Sequence, residues 1–553
     1  MRSSIRTLML MAGAVSMLTA CSQDLAVTNP NQADIGRALA RPSDLENLLA
    51  GGFNQYFSST VGGTTNENAN NSFQVLAHEN YSGLANFNMG PRAAMPRNPI
   101  QNFQGNAGSA SVVNSFNGLV RLTRSATLAL EKISVATLGS PAQDLRARAY
   151  GQFVLGVAHG ALAQSYDSAT VVVPGADSVP PLVGYDSLAR TALRLLDAAI
   201  ADANNPAAAA AFPIPAGWLN LTSGTVTAAN FVRIVRSHKA RIRATVARNP
   251  AERAAVDWAA VLADAQAGIT GDLNLAHNPA TGWQQVWYIQ HHVGTNWHVM
   301  TPFIIGMADT TDAYGTWLNQ PLLSRTPFLI RTPDKRFPAG NDRAAQNASS
   351  NGGATGVVNP PGVYFRNRRQ ADDGAASDGT WGFSFYDFVR FQSYFNAVRI
   401  GEYPYMTIAE MNALIAEAAI RTGNFTLAAS AIDVSRVARG GLPALTGAGI
   451  TSLTQEVPGG AACVPRVPVR TGNTFTTKCG NILEAMKWEK RMENAYINFG
   501  AWYFDSRGWG DLAEGTTIHF PVPWQEQQVR FQSPTTVGGQ GSVTGAARGT
   551  YGF

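Results

Sequence analysis

Apolar and small residues recur at three- and four-residue intervals in several stretches of this chain, the period of one face of an α-helix. Asp144 to Tyr166 reads this way, and Tyr185 to Ala203 repeats the pattern behind an Asp186-Ser187 start. A second pair covers about Ala228 to Arg248 and Ala251 to Gly268, separated by Asn249-Pro250. A third covers Thr407 to Arg421 and Thr426 to Arg439, separated by Gly423-Asn424. Gly, Asn and Pro at these breaks are helix start and stop signals. A last strong helix is predicted from about Asn481, through ILEAMKWEKRMENAYINFG. Asp257-Trp258 and Asn424-Phe425 each place a polar residue and an aromatic ahead of an Ala-rich helix, as tetratricopeptide hairpins do. Small residues in such hairpins let helices approach closely, and stacked units bury a continuous core. No fixed 34-residue period is present, so the array is degenerate and interrupted. Gly51 to Asn106, Leu273 to Arg399 and Gly441 to Gly480 separate the helical pairs and are rich in Asn, Gly, Thr, Pro and aromatics. They are too long for simple connectors, and loops of that length usually carry function or their own small structure. Ser533 to Phe553 is Gly-rich and reads as flexible or as packed irregular coil. The expected fold is mainly α, a tetratricopeptide-like scaffold of helical hairpins with long irregular, loop-rich insertions.

The 553 residues are 45% hydrophobic, which fits a globular chain rather than a disordered one. The formal net charge is +5, yet only six of the 42 basic residues are Lys, so the chain is Arg-rich and its basic residues are scattered. No nucleic-acid partner is expected. The densest basic run, Arg233 to Arg248, falls at helical spacing and reads as a solvated helix face.

The amino-terminal end is different in character. Arg2 and Arg6 precede an apolar stretch from Leu8 to Ala20, long enough for a signal h-region and too short to span a bilayer. Leu18-Thr19-Ala20-Cys21 resembles a bacterial lipobox, in which the thiol is acylated before the leader is cut. Residues 1–20 are thus expected to be a removed signal peptide, with lipidated Cys21 as a membrane anchor outside the cytoplasm. No second stretch of 18 or more apolar residues offers a transmembrane helix. Cys463 and Cys479 flank a Gly-, Pro- and Thr-rich stretch and are expected to form a disulfide in an oxidising compartment.

Motif chemistry narrows the function. No G-x-S-x-G elbow, H-E-x-x-H pair or G-x-x-x-x-G-K-[ST] loop occurs, so no catalytic residue and no cofactor are assigned. His291, His292 and His298 lack a carboxylate at metal-site spacing, and Asp372-Asp373-Gly374 with Asp378-Gly379 does not follow the alternation of an EF-hand. The ring-rich middle insertion is more telling: Trp283, Trp287, Tyr288, Trp297, Tyr314, Trp317 and Trp381 fall there, with Asn296 beside Trp297. A pyranose stacks its apolar face on an aromatic ring while amides and guanidiniums hold its hydroxyls, so these residues are candidate glycan contacts. Each ring could instead fill core. A second candidate surface is the loop Phe87 to Arg92, with Asn88 and Arg92 as its polar groups.

Tyr405 to Pro443 resembles the signature hairpin of the SusD/RagB family of outer-membrane nutrient-binding lipoproteins. The resemblance rests on Glu417-Ala418, the Gly423-Asn424 break and Arg439-Gly440-Gly441-Leu442-Pro443. Ile482-Leu483-Glu484, Arg491, the Trp502 to Gly510 run and Pro521-Val522-Pro523 are similar to later family motifs. Asp24-Leu25, Asn29-Pro30-Asn31 and Asp334-Lys335-Arg336 agree as well, while Glu493-Asn494-Ala495-Tyr496 and Ser506 depart from the pattern. Physically, the Trp502 to Trp509 cluster with Asp505 and Arg507 suits a helix end packed on the core with its charges satisfied.

The resemblance implies one SusD-like domain over residues 21–553. Its helical scaffold would cover about 110–270 and 400–510, with ligand-binding insertions at about 51–106 and 273–399. It also implies a non-catalytic lipoprotein of the outer membrane, facing the cell surface, that captures oligosaccharide or a similar large nutrient. The implied partner is a SusC-like TonB-dependent transporter barrel. A peptide-binding member of the same family and a secreted glycosidase are the alternatives.

Overall fold

The computed structural model describes residues 41–553 except 64–67, 83–87, 136, 174–178, 285–298, 374–381 and 542–548. Cys21 and the candidate residues Trp287, Asn296, Trp297 and Trp381 lie outside the described residues, as do His291, His292 and His298.

Helix boundaries follow side-chain capping closely. Ser140 Oγ accepts from the Gln143 amide at the start of α5 (Pro141–Ser165), and Thr227 Oγ1 accepts from that of Asn230 at α7 (Ala228–Thr245). Asn249 caps the Glu252 amide of α8 (Pro250–Ala254), and Asp257 caps that of Ala260 in α9 (Trp258–Gln266). Thr407, Asn424 and Asn481 do the same for α10 (Ile408–Arg421), α11 (Phe425–Arg436) and α12 (Ile482–Asn494). Each cap satisfies an amide that would otherwise lack an intrahelical acceptor, worth about 1 kcal/mol.

These helices stack in series. α5 packs on α4 (Ala110–Val135) and on α6 (Tyr185–Ala203); α6 packs on α7, α7 on α9, α9 on α10, and α10 on both α11 and α12. The series is the hairpin array that the periodicity predicts. Contact is close enough that a Cβ at Gly160 would stand 2.4 Å from Ile242 Cδ1, so only a hydrogen fits there between α5 and α7.

Three helices occur where no helical period is legible. α1 (Pro42–Ala50), α2 (Gly52–Thr60) and α3 (Ala69–Leu76) precede α4, and the last two fall wholly in the stretch read as a loop. In α3, Asn70, Asn71, Ser72 and Gln74 are as buried as Phe73 and Val75, which erases the polar and apolar faces. The carboxyl-terminal stretch takes the packed alternative: Val537 bridges Ile100, and Tyr551 and Phe553 are buried.

Strands are short and paired antiparallel. β3 (Leu273–His277) pairs with β6 (Gly401–Met406), with His277 opposite Gly401, and so joins the two ends of the middle insertion. β1 (Ser168–Thr170) pairs with β2 (Leu182–Gly184), and β4 (Phe365–Asn367) with β5 (Tyr386–Phe388). β7 (Arg466–Thr471) and β8 (Thr474–Cys479) form a hairpin, and Cys463 is joined to Cys479 across its open end with a Cα–Cα separation of 5.7 Å. The bridge closes a loop of sequence separation 16, for which a loss of about 3 kcal/mol is expected on reduction. A Cys463→Ser/Cys479→Ser variant should show a lowered melting temperature that reductant does not lower further.

The Arg233 to Arg248 run is not a solvated face. Arg241 forms two 2.6 Å hydrogen bonds to Glu410, Lys239 reaches Asp197 at 2.5 Å and Asp264 at 3.4 Å, and Arg248 is buried against Tyr185. The guanidiniums and ammonium tie α7 to its neighbours because their long stems cross the interface and their heads find carboxylates or carbonyls there. The same chemistry joins the later helices. Arg253 pairs with Glu417 (2.6 Å) and Asp505 (3.0 Å), Arg336 with Asp334, Glu489 and Glu493, and Arg491 with Asp511 (2.6 Å). Asp505 also binds Lys490, whereas Arg507 donates to the carbonyls of Ile518 and Thr245. The charges in the Trp502 to Trp509 cluster are therefore satisfied, but not by one another. No helix among the described residues is long and apolar enough to cross a membrane.

Candidate functional site

Residues from four distant segments meet around Tyr81. Its amide and carbonyl exchange hydrogen bonds with Val299 (2.7 and 2.9 Å), and the Ser384 amide donates to the Met300 carbonyl at 3.0 Å. The Tyr81 ring meets Phe383 edge-on at 5.3 Å, and a Cβ at Gly382 would fall 2.4 Å from that ring. Tyr496 enters from the end of α12: its amide donates to Glu79 Oε1 and its hydroxyl to the Glu79 carbonyl, both at 2.7 Å. Burial pushes the Glu79 carboxyl up to about 8, and only the Tyr496 amide opposes that rise.

One step along the chain lies an aromatic cleft of about 210 Å³. Phe475 (7% exposed) and Phe553 (8%) supply its more open rings, with Phe303 (1%) at the back, and Arg325, Arg470 and Glu514 supply its charged groups. Phe303 stacks on His78 with centroids 4.3 Å apart, and Phe553 meets both rings edge-on. Burial among these rings and the neighbouring Arg97 hold the His78 imidazole well below its ordinary pKa, so it is neutral and packs as an aromatic plate. Phe475 is fixed at the tip of the β7–β8 hairpin by Asn319, which accepts from its amide at 2.7 Å and donates to its carbonyl at 2.8 Å. Arg470, opposite Phe475 in the hairpin register, lies over that ring at 5.4 Å and donates to the Gly552 carbonyl. Arg325 lies 4.5 Å above Trp317 and 5.6 Å from the Phe303 centroid.

Ring faces beside guanidiniums can hold a ligand with one apolar face and polar edges. Two-carboxylate glycoside hydrolysis needs a pair of acidic side chains about 5 to 9.5 Å apart, and Glu514 is the one acidic side chain among the described residues of the cleft.

The sequence-predicted contacts divide sharply. Tyr314 (0% exposed) and Trp317 (1%) form the layer behind the cleft: the Tyr314 hydroxyl donates to the Phe303 carbonyl at 2.5 Å, and Trp317 meets the Phe303 ring edge-on. They support the wall and present no face to a ligand. Trp283 is core as well, tilted against Phe53 and Phe57. Arg92 is buried and donates to the Ser72 hydroxyl, the Gly108 carbonyl and the Ser111 hydroxyl, so it braces α3 instead of facing solvent. The reading of these four as exposed contacts is corrected, because each is better satisfied inside. Asn88 stands half-exposed with positive φ at the head of a short helix, Met89–Ala93. Asp372 and Asp373 are engaged by Arg369 and Arg343.

Phe303, Arg325, Arg470, Phe475 and Phe553 were not singled out from the sequence. They come from separate segments with no shared local pattern; the one available signal was a pair of rings, Tyr551 and Phe553, closing a Gly-rich stretch.

No protein-family model and no curated protein matches the sequence. Solved structures do match. A SusD superfamily protein from Bacteroides vulgatus aligns with a TM-score of 0.55 at 11% identity, over 89% of this chain and 97% of its own. A SusD homolog from Bacteroides thetaiotaomicron aligns with a TM-score of 0.53 at 12% identity, over 89% and 97%. A laminarin-binding SusD-like protein aligns with a TM-score of 0.50 at 12% identity, over 90% and 99%.

Proposed function

We propose that this chain, whose fold is that of the SusD superfamily, is an outer-membrane lipoprotein that captures oligosaccharide without breaking bonds and passes it to a SusC-like TonB-dependent transporter. The observation that carries the reading is the aromatic cleft of Phe303, Phe475 and Phe553 with two guanidiniums, set beside the Tyr81 junction. Val299, Gly382 and Ser82 at that junction are the described neighbours of the stretches bearing Trp297, Trp381 and the early loop before Asn88. An early loop and the middle insertion therefore start from one place, and Trp287, Asn296, Trp297, Trp381 and Asn88 are proposed to extend the binding surface from it. Cys21 is proposed as the lipid anchor, holding the binding body at the cell surface.

Binding of the soluble protein from Ser22 onward to a glycan array and a peptide library tests this directly. Saccharide binding is expected; binding to no glycan overturns the reading, and selective peptide capture replaces it with the peptide alternative. Cys21→Ser should move the protein from the membrane fraction to the soluble fraction, and retention in the membrane would refute the anchor.

A further inference from the structure

We propose that the cleft takes a sugar bearing an acid group, a uronate carboxylate or a sulfate ester, in preference to a neutral glycan. The proposal deepens the saccharide-capture reading and rests on it.

Two guanidiniums line the cleft, and neither has a carboxylate within 4 Å among the described residues, whereas Arg241, Arg253, Arg336 and Arg491 each meet one. Arg325 is 7% exposed. Its Nε and Nη2 donate to the carbonyls of Gln320 (3.3 Å) and Leu318 (2.7 Å), and its Nη1 has no hydrogen-bond partner among the described residues. Burial holds its pKa down to about 10, outweighing the Tyr314 hydroxyl, which raises it. Arg97, another buried guanidinium without a carboxylate, differs in spending Nε, Nη1 and Nη2 on protein acceptors. Arg470 is half-buried and clamped at the hairpin tip, with Nε, Nη1 and Nη2 on Gly472 O, Gly552 O and Asn473 Oδ1 at 2.7, 3.1 and 3.1 Å. Glu514 is the one acidic side chain among the described lining residues, against two guanidiniums.

A cation held out of water without a partner gains more from an anionic ligand than from a hydroxyl, and a guanidinium matches the planar or tripod oxygens of carboxylate and sulfate. The volume, about 210 Å³, is below the roughly 300–1,000 Å³ of sites that enclose drug-sized ligands, so it suits a single ring. A pyranose laid on Phe553 or Phe475 would point its acid group at Arg325 or Arg470. An acidic peptide fits less well, because the amide and carbonyl of Phe475 are both consumed by Asn319 and offer no main-chain pairing.

The test is calorimetric titration of the purified full-length protein with oligogalacturonate, sulfated galactan oligosaccharide, neutral laminarin oligosaccharide and an oligoglutamate peptide, at low and high salt. One of the two charged saccharides is expected to bind about tenfold or more tighter than the neutral one, with affinity falling as salt rises. Which one binds identifies the acid group. Arg325→Gln and Arg470→Gln should each weaken that binding by about tenfold or more and weaken laminarin binding by a clearly smaller factor. Arg470→Gln, at a half-exposed hairpin tip, guards against a misfolded Arg325 variant, and melting temperatures verify both. Equal or tighter binding of the neutral sugar overturns the inference and leaves saccharide capture intact, as does unchanged affinity in both variants. Preference for the peptide over every saccharide overturns both, and so does binding of no saccharide.

Discussion

Replacing Glu417 with Ala should cost about 3–5 kcal/mol, measured by urea denaturation, because it strands a buried guanidinium. Neither Glu417 nor Arg253 has any exposed side-chain surface. Glu417 Oε1 accepts from Arg253 Nε at 2.9 Å and Trp509 Nε1 at 3.0 Å, and Oε2 accepts from Arg253 Nη2 at 2.6 Å. Removing the carboxylate leaves Arg253 with Asp505, which already serves Lys490. Glu417→Gln should fall between wild type and the Ala variant, since it keeps the shape and one acceptor. Burial alone would raise the Glu417 carboxyl, but Arg253, with help from Lys490 and Arg421, outweighs it and sets the value at about 2. A depressed carboxylate stabilises the fold above its unfolded value near 4.5, and the contribution is lost as pH falls from there through about 2. The wild-type protein should thus lose stability over that acid window while the Ala variant shows a shallower slope. A loss under 1 kcal/mol in Glu417→Ala would show that the pair contributes nothing the fold depends on.

Glu79→Gln is expected to act in the opposite direction and at the opposite end of the pH scale. The Glu79 carboxyl titrates near 8 in the folded protein, so the native state holds a proton that the unfolded chain releases near 4.5. A raised carboxylate keeps its full contribution below about 4.5, and that contribution is lost as pH climbs through about 8. At about 1.4 kcal/mol per pKa unit, the penalty in the wild-type protein by pH 9 is on the order of 5 kcal/mol. Gln is neutral throughout and its amide oxygen can still accept from the Tyr496 amide. The variant should match wild type near pH 5 and melt at a higher temperature at pH 9. Parallel melting curves across that range would place Glu79 in contact with water.

Much of the scaffold is legible before any coordinate. Helical pairs from Asp144 to Gly268 and from Thr407 onward carry an unbroken period and end on Asn, Gly or Pro, so local propensity, capping and packing agree. Helix α3 is hidden because its buried face is amides whose partners lie outside the helix: Asn70 accepts from the distant Gly500 amide, and Gln74 accepts from Asn80 just beyond the helix. The Arg233 to Arg248 run misleads for a related reason. Spacing shows which residues share a face, and only the tertiary fold shows that Glu410 and Asp264 stand opposite. Rings are the hardest to read, since Trp317 in the core and a ring lining a cleft have the same local signature. The resemblance carried by Glu417, Arg491 and Asp505 rests on ion-pair anchors of the scaffold: Glu417 and Asp505 hold Arg253, and Arg491 holds Asp511.

The disulfide-closed hairpin has a practical side. Its staple is at the base, at Cys463 and Cys479, while Arg470 and Phe475 stand at the tip, where they line the aromatic cleft. Protein produced in a reducing cytoplasm and purified with thiols would carry an untethered hairpin under half of the cleft. A ligand screen on such a preparation would report the quality of the sample, so the choice of expression compartment becomes a variable of the binding experiment itself.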